Sequence, residues 1–171
     1  MQSKVGYFWS KESKYNQLDI IWRIIVEKGS VSTVKNINLG TFNVTENQKI
    51  TFSEGIFGFE NISDYYLIDA NIAPFMLLQA AEDEAIGFIV CDPFLFFQSY
   101  EFDLNEEAKK SINLEKSEDL LVLTIVTLSD KIDEVTANLV GPIIINIKTH
   151  QAIQYIVNDP KYTTKHPIFV K

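Results

Sequence analysis

Between Asp119 and Asn158 the chain strings together three apolar runs, DLLVLTIVTL, TANLVGPIIINIK and QAIQYIVN. Each is rich in Val, Ile and Thr, whose branched side chains suit a pleated strand. Each is ended by polar or turn-forming residues within the length of a strand, which leaves no room for a core helix of several turns. The stretch from Leu120 to Val126 carries no charge at all. A strand of that kind is covered on both faces, so the chain must close a sheet around itself or stack something on it.

The same grammar runs back toward the N-terminus. INLGTFNVTENQKITF reads as two strands joined by a polar turn at Glu46-Asn47-Gln48, and YYLIDA as a third, ended by Asn71-Ile72-Ala73-Pro74. FMLLQAAE and AIGFIVC read as a hairpin around Asp83-Glu84. DLNEEAKKSI is the one clear helix of this region: Asp103 or Asn105 can cap it, Glu106 and Glu107 sit at its positive end, and Lys109 and Lys110 follow a turn later. Asp130 to Glu134 forms a loop between late strands. The expectation is a mainly β domain, a small antiparallel barrel or sandwich of roughly eight to ten short strands with one short helix.

Charge divides the chain. Residues 1–34 hold five bases against three acids, a balance of +2, so with −8 overall the remainder sums to −10. Such a body repels phosphate backbones, which excludes direct nucleic-acid binding and favours a basic protein partner. With Cys91 alone, no intrachain disulfide can be drawn, as suits the reducing cytoplasm. In the head, YNQLDIIWRIIVEKG places Leu18, Ile21, Trp22 and Ile25 at helical spacing with Gly29 as a stop, and Asp19 and Arg23 leave the run too short to span a membrane. Residues 1–34 are therefore an N-terminal extension, and residues 35–171 are expected to be a fold complete without it. Two readings of the head stay open: an amphipathic arm that docks through Ile21, Trp22 and Ile25, or an upstream in-frame stretch with translation starting at Val34.

Catalytic and cofactor signatures are missing from the sequence. There is no phosphate-binding or dinucleotide glycine loop, no nucleophile elbow and no HExxH. His150 reads as a solvated loop residue. Glu82, Asp83 and Glu84 read as a charged hairpin tip, and Cys91 as a buried, inert thiol. The chain is expected to be no enzyme, with no cofactor and no metal.

One stretch does not read as ordinary core. CDPFLFFQSYEF sets Phe94, Leu95, Phe96 and Phe97 in succession. Read as extended chain, Phe94 and Phe96 point one way, and Leu95 and Phe97 the other. One pair would enter the core and the other would face a neighbouring element or a partner, with Tyr100 and Phe102 as an amphipathic rim. Asn138 inside TANL either ties down backbone or contacts a partner.

Four blocks, EGIFGFE at 54–60, DPFLFFQSYEF at 92–102, TANLVGPIIIN at 136–146 and KHPIF at 165–169, resemble in order and spacing the signature blocks of the FliW family of flagellar assembly factors. The resemblance covers about residues 35–169. It implies a small non-catalytic cytoplasmic β protein, monomeric on its own, that binds flagellin and antagonises the translational repressor CsrA. The alternative is a flagellin-specific export chaperone without repressor binding. On this reading the partner-binding residues are Leu95, Phe97, Tyr100, Phe102, Asn138 and Leu139. The chain departs from the family pattern at Phe57, where a proline is usual, at Gln98-Ser99, where Pro-Asp is usual, and at Lys165, where arginine is usual.

Overall fold

The computed structural model describes Ile21, Ile24 and residues 29–169. Eleven strands follow in chain order: β1 Val31–Asn36, β2 Gly40–Thr45, β3 Lys49–Phe52, β4 Asp64–Ile68, β5 Met76–Ala80, β6 Gly87–Cys91, β7 Leu120–Thr127, β8 Thr136–Ala137, β9 Ile143–Asn146, β10 Gln151–Gln154 and β11 His166–Pro167. The helix α1 spans Glu106–Ser111. Neighbours run β7-β6-β5-β4-β3-β10-β9, and β9 pairs back onto β7 through Leu120↔Asn146 to Leu123↔Ile143, which closes a barrel. Every pair is antiparallel except β3 with β10, a parallel join at Thr51↔Gln151 and Phe52↔Ala152. Closure leaves no bare edge among these strands. β8 and β11 extend the ladder beyond the end of β7.

Alternation along the strands sorts side chains into two cores. Tyr65 and Leu67 of β4, Met76, Leu78 and Ala80 of β5, and Val90 of β6 join the main core. Ile68 and Leu77, of opposite parity, form a second cluster with Val34 and Val44 under the β1–β2 hairpin. Each such aliphatic side chain, once buried, contributes about 1.5–3 kcal/mol. Gln79, on the same outer face, is fully buried, and four polar contacts make that tolerable. Its Oε1 accepts from Asn36 Nδ2 at 2.6 Å, while its Nε2 donates to Asp83 O at 2.8 Å, Ile86 O at 2.9 Å and Ala80 O at 3.2 Å. The hairpin is thereby locked to the barrel by polar groups as well as by its apolar face.

Most sequence expectations match these elements. The chain is mainly β, with Glu106–Ser111 the one α-helix between residues 29 and 169, and the run Leu120 to Leu123 is buried on both faces. Asn105, rather than Asp103, caps α1, its Oδ1 accepting from Ala108 N at 2.8 Å. TANLVGPIIIN is two strands rather than one. Gly141 N donates to Asn138 Oδ1 at 2.9 Å, which makes a turn before Pro142. β1 begins at Val31, so a domain boundary after residue 34 cuts a paired strand. Ile21 and Ile24 are buried in the main core, so the head contributes to the fold; Leu18, Trp22 and Ile25 lie outside the described residues. No helix among the described residues is long and apolar enough to cross a membrane.

Candidate functional site

The run after β6 is not extended. Asp92 caps a 3-10 turn over Pro93–Leu95, its Oδ1 accepting from Phe94 N at 2.8 Å, with Pro93 at the first position of the turn. Phe97 N then donates to Pro93 O at 2.8 Å, and Tyr100 N to Phe97 O at 3.0 Å. The expected two-sided alternation therefore gives way to a coil. Phe94, Phe96 and Phe97 all pack against the main core, and Leu95 alone of the four is exposed. An Asp-Pro pair supplies both cap and preset φ, and at this position it outweighs the strand-like composition.

From this coil a row of rings runs across one side of the molecule. Phe75 stacks on Phe96 at 6.1 Å, and Phe96 meets the edge of Phe169 at 5.8 Å. Phe97 meets His166 edge-on at 5.2 Å, and Tyr100 meets Tyr162 at 4.7 Å and Phe102 at 5.4 Å. Phe102 in turn stacks on Tyr155 at 5.9 Å. Contacts of this geometry each add about 0.5–1.5 kcal/mol beyond burial.

Hydrogen bonds tie the row to the other signature blocks. Tyr100 OH donates to Leu139 O at 2.8 Å, and Leu139 N to Thr163 O at 3.1 Å. Gln154 is a bridge, its Nε2 donating to Gly141 O at 3.0 Å and its Oε1 accepting from Phe57 N at 2.9 Å. A side chain at Gly141 would lie 2.9 Å from that amide nitrogen, so glycine leaves the room in which it sits. Phe57 has an N–H to give where a proline would have none. Its turn uses φ of +71° at Gly55 and +84° at Gly58, which sends Ile56 into the core and leaves Phe57 53% exposed. KHPIF closes the circle: His166 pairs with Ala137, and Ile168 N donates to Val135 O at 3.1 Å.

The six residues expected to meet a partner thus separate. Leu95 is exposed, and Phe97 and Asn138 are half-buried. Tyr100, Phe102 and Leu139 are buried, where they hold the blocks together beneath the surface. Phe57 and Ile156, exposed at 53% and 59%, are apolar surface residues that strand patterning did not single out. Nothing local marks them, because both lie in connections between strands, where exposure is a tertiary outcome. Burial pushes the Asp92 carboxyl up to about 6 against the opposing pull of Phe94 N, and pushes the Cys91 thiol up to about 12, which leaves that sulfur protonated and inert. His150 sits in a left-handed turn with φ 56°.

A sequence profile described as FliW protein matches residues 33–168. The chain belongs to the FliW family. It is 40% identical over 138 residues to the flagellar assembly factor FliW of Treponema denticola, which covers 81% of this chain and 94% of that one. Against the flagellar assembly factor FliW of Bacillus subtilis it is 40% identical over 130 residues, covering 75% and 91%. A crystal structure of the flagellar assembly factor FliW superposes with a TM-score of 0.76 at 30% identity, covering 82% of this chain and 99% of that one. The four blocks lie within this matched span except for Phe169, and they are the parts that interlock around Tyr100 and Gln154.

Proposed function

We propose that this chain is a cytoplasmic flagellar assembly factor that works by binding rather than turnover, holding flagellin and antagonising the translational repressor CsrA. Free flagellin then competes for the factor and sets its own synthesis. Membership of the FliW family over residues 33–168 carries the reading. A balance of −10 over residues 35–171 supports it, since an acidic surface steers a basic RNA-binding partner into encounter. Of the six residues expected to meet a partner, Leu95, Phe97 and Asn138 keep solvent-accessible surface and are the ones this reading assigns to contact, with Tyr100, Phe102 and Leu139 packed beneath.

The deciding experiment mixes purified protein with CsrA bound to a labelled target RNA and then adds flagellin. Release of RNA by the protein, reversed by flagellin, is expected. Flagellin binding with no effect on the CsrA–RNA complex would select the export-chaperone reading. A protein that binds neither would refute both.

A further inference from the structure

At the far end of the aromatic row, residues 101–103 and 155–161 enclose a groove of about 300 Å³. Phe102 and Tyr155, stacked on one another, and Ile156, 59% exposed, supply its apolar lining. Three acids, Glu101, Asp103 and Asp159, line it against one base, Lys161. Lys161 Nζ lies 3.2 Å from Asp159 Oδ2, 3.9 Å from Glu101 Oε1 and 5.0 Å from the Tyr162 ring centroid.

The chemistry of this groove narrows its occupant. An anion would face a surplus of carboxylates. The acids are spread along the groove, and among the described residues no group of three His, Cys, Asp or Glu is placed to hold a metal ion. An organic cation carried beside apolar surface matches both the lining charge and the exposed Ile156. Lys161 already marks where such a cation sits, held by two carboxylates and a ring face.

We propose that this groove is the docking site for a Lys- or Arg-bearing amphipathic segment of a protein partner, whose cation takes the place of Lys161 while an apolar neighbour covers Ile156. This deepens the binding role proposed above and rests on it for the partner's identity.

The test titrates the full chain, followed by NMR, with a synthetic peptide carrying lysine and leucine at helical spacing, and with its glutamate-for-lysine counterpart. Shifts centred on Phe102, Tyr155, Ile156 and Val157 with the lysine peptide alone are expected. Asp103→Lys combined with Asp159→Lys should weaken binding about tenfold, as should Ile156→Glu, whereas Lys161→Met should tighten it about threefold by removing the internal competitor. All four positions are at or near the surface, and unchanged shifts elsewhere verify folding. Shifts centred elsewhere, or binding that Lys161→Met leaves unchanged or weakens, overturn the proposal. Deletion of residues 1–20 that itself moves the groove resonances assigns the groove to the chain's own N-terminal segment, which also overturns it. The same variants are then measured against CsrA and flagellin. Peptide in the groove with neither protein bound refutes the functional reading alone; either protein bound equally by all variants refutes the groove alone.

Discussion

Tyr100→Phe separates a residue that builds the site from one that touches a partner. The ring is 1% exposed and packs on Phe94, Phe102 and Tyr162, while the hydroxyl donates to Leu139 O at 2.8 Å. Phenylalanine keeps the ring contacts and orphans a buried carbonyl, which costs about 1–3 kcal/mol. Tyr100→Ala also removes the ring, with a cost of about 3–5 kcal/mol for the cavity. Urea unfolding followed by fluorescence, with equal m-values, measures both. Binding to flagellin and CsrA, measured where each variant is folded, should change little for Tyr100→Phe. If Tyr100→Phe left the urea midpoint in place but abolished binding, the hydroxyl would belong to a partner contact, and its role as a tie between signature blocks would be wrong.

Three further outcomes follow from buried groups. The Asp92 carboxyl, raised to about 6 by burial, binds a proton more tightly in the folded than in the unfolded chain, so its penalty is absent below about pH 4, grows to pH 6 and is constant above. Asp92→Asn keeps an acceptor for Phe94 N and should stabilise the protein at pH 7 by about 1–3 kcal/mol while flattening the stability profile between pH 4 and 6; identical pH slopes in both proteins would contradict this. Gly87→Ala places a methyl 2.6 Å from Gln79 Oε1 and 2.9 Å from Asn36 Nδ2, so it should cost about 2–3 kcal/mol and speed amide exchange across residues 31–45, whereas exchange that stays slow there would show that the Asn36–Gln79 pair does not hold the hairpin. A chain beginning at Val34 loses Ile21, Ile24 and the pairs Val31↔Thr45, Ser32↔Val44 and Thr33↔Asn43, and should lose about 3–6 kcal/mol; an unchanged melting temperature would mean that the head is dispensable.

The strand content was legible because it rests on local chemistry. Val, Ile and Thr in short runs between turn residues gave β4, β5, β6 and β7 close to their observed limits. Barrel closure was harder, since the decisive pairs, β9 with β7 and β10 with β3, join segments whose partners no local pattern names. β1 went unread because Ser32, Thr33 and Lys35 dilute its pattern, and it buries only Val34 and Asn36. Its stability comes from a surface, the outer face of β4 and β5, that exists only once the barrel has formed.

The site shows the same division, with one exception. Burial of Tyr100, Phe102 and Leu139 is a tertiary outcome, so an amphipathic residue in an aromatic run carries no local sign of which way it faces. The coil at Phe94–Phe97 is different. Aspartate followed by proline was in the sequence as an N-cap with a first helical position, and it fixes the direction of every ring after it. Giving that pair precedence over alternation turns Phe94, Phe96 and Phe97 onto one body of core and leaves Leu95 outside. Hydrogen bonds then join blocks that lie far apart in sequence. The coil sends Tyr100 to Leu139, Leu139 reaches Thr163, and Gln154 joins Gly141 to Phe57. Loss of one of these hydrogen bonds therefore loosens the joint between two blocks and costs stability, while the exposed surface at Leu95 and Phe57 keeps its side chains.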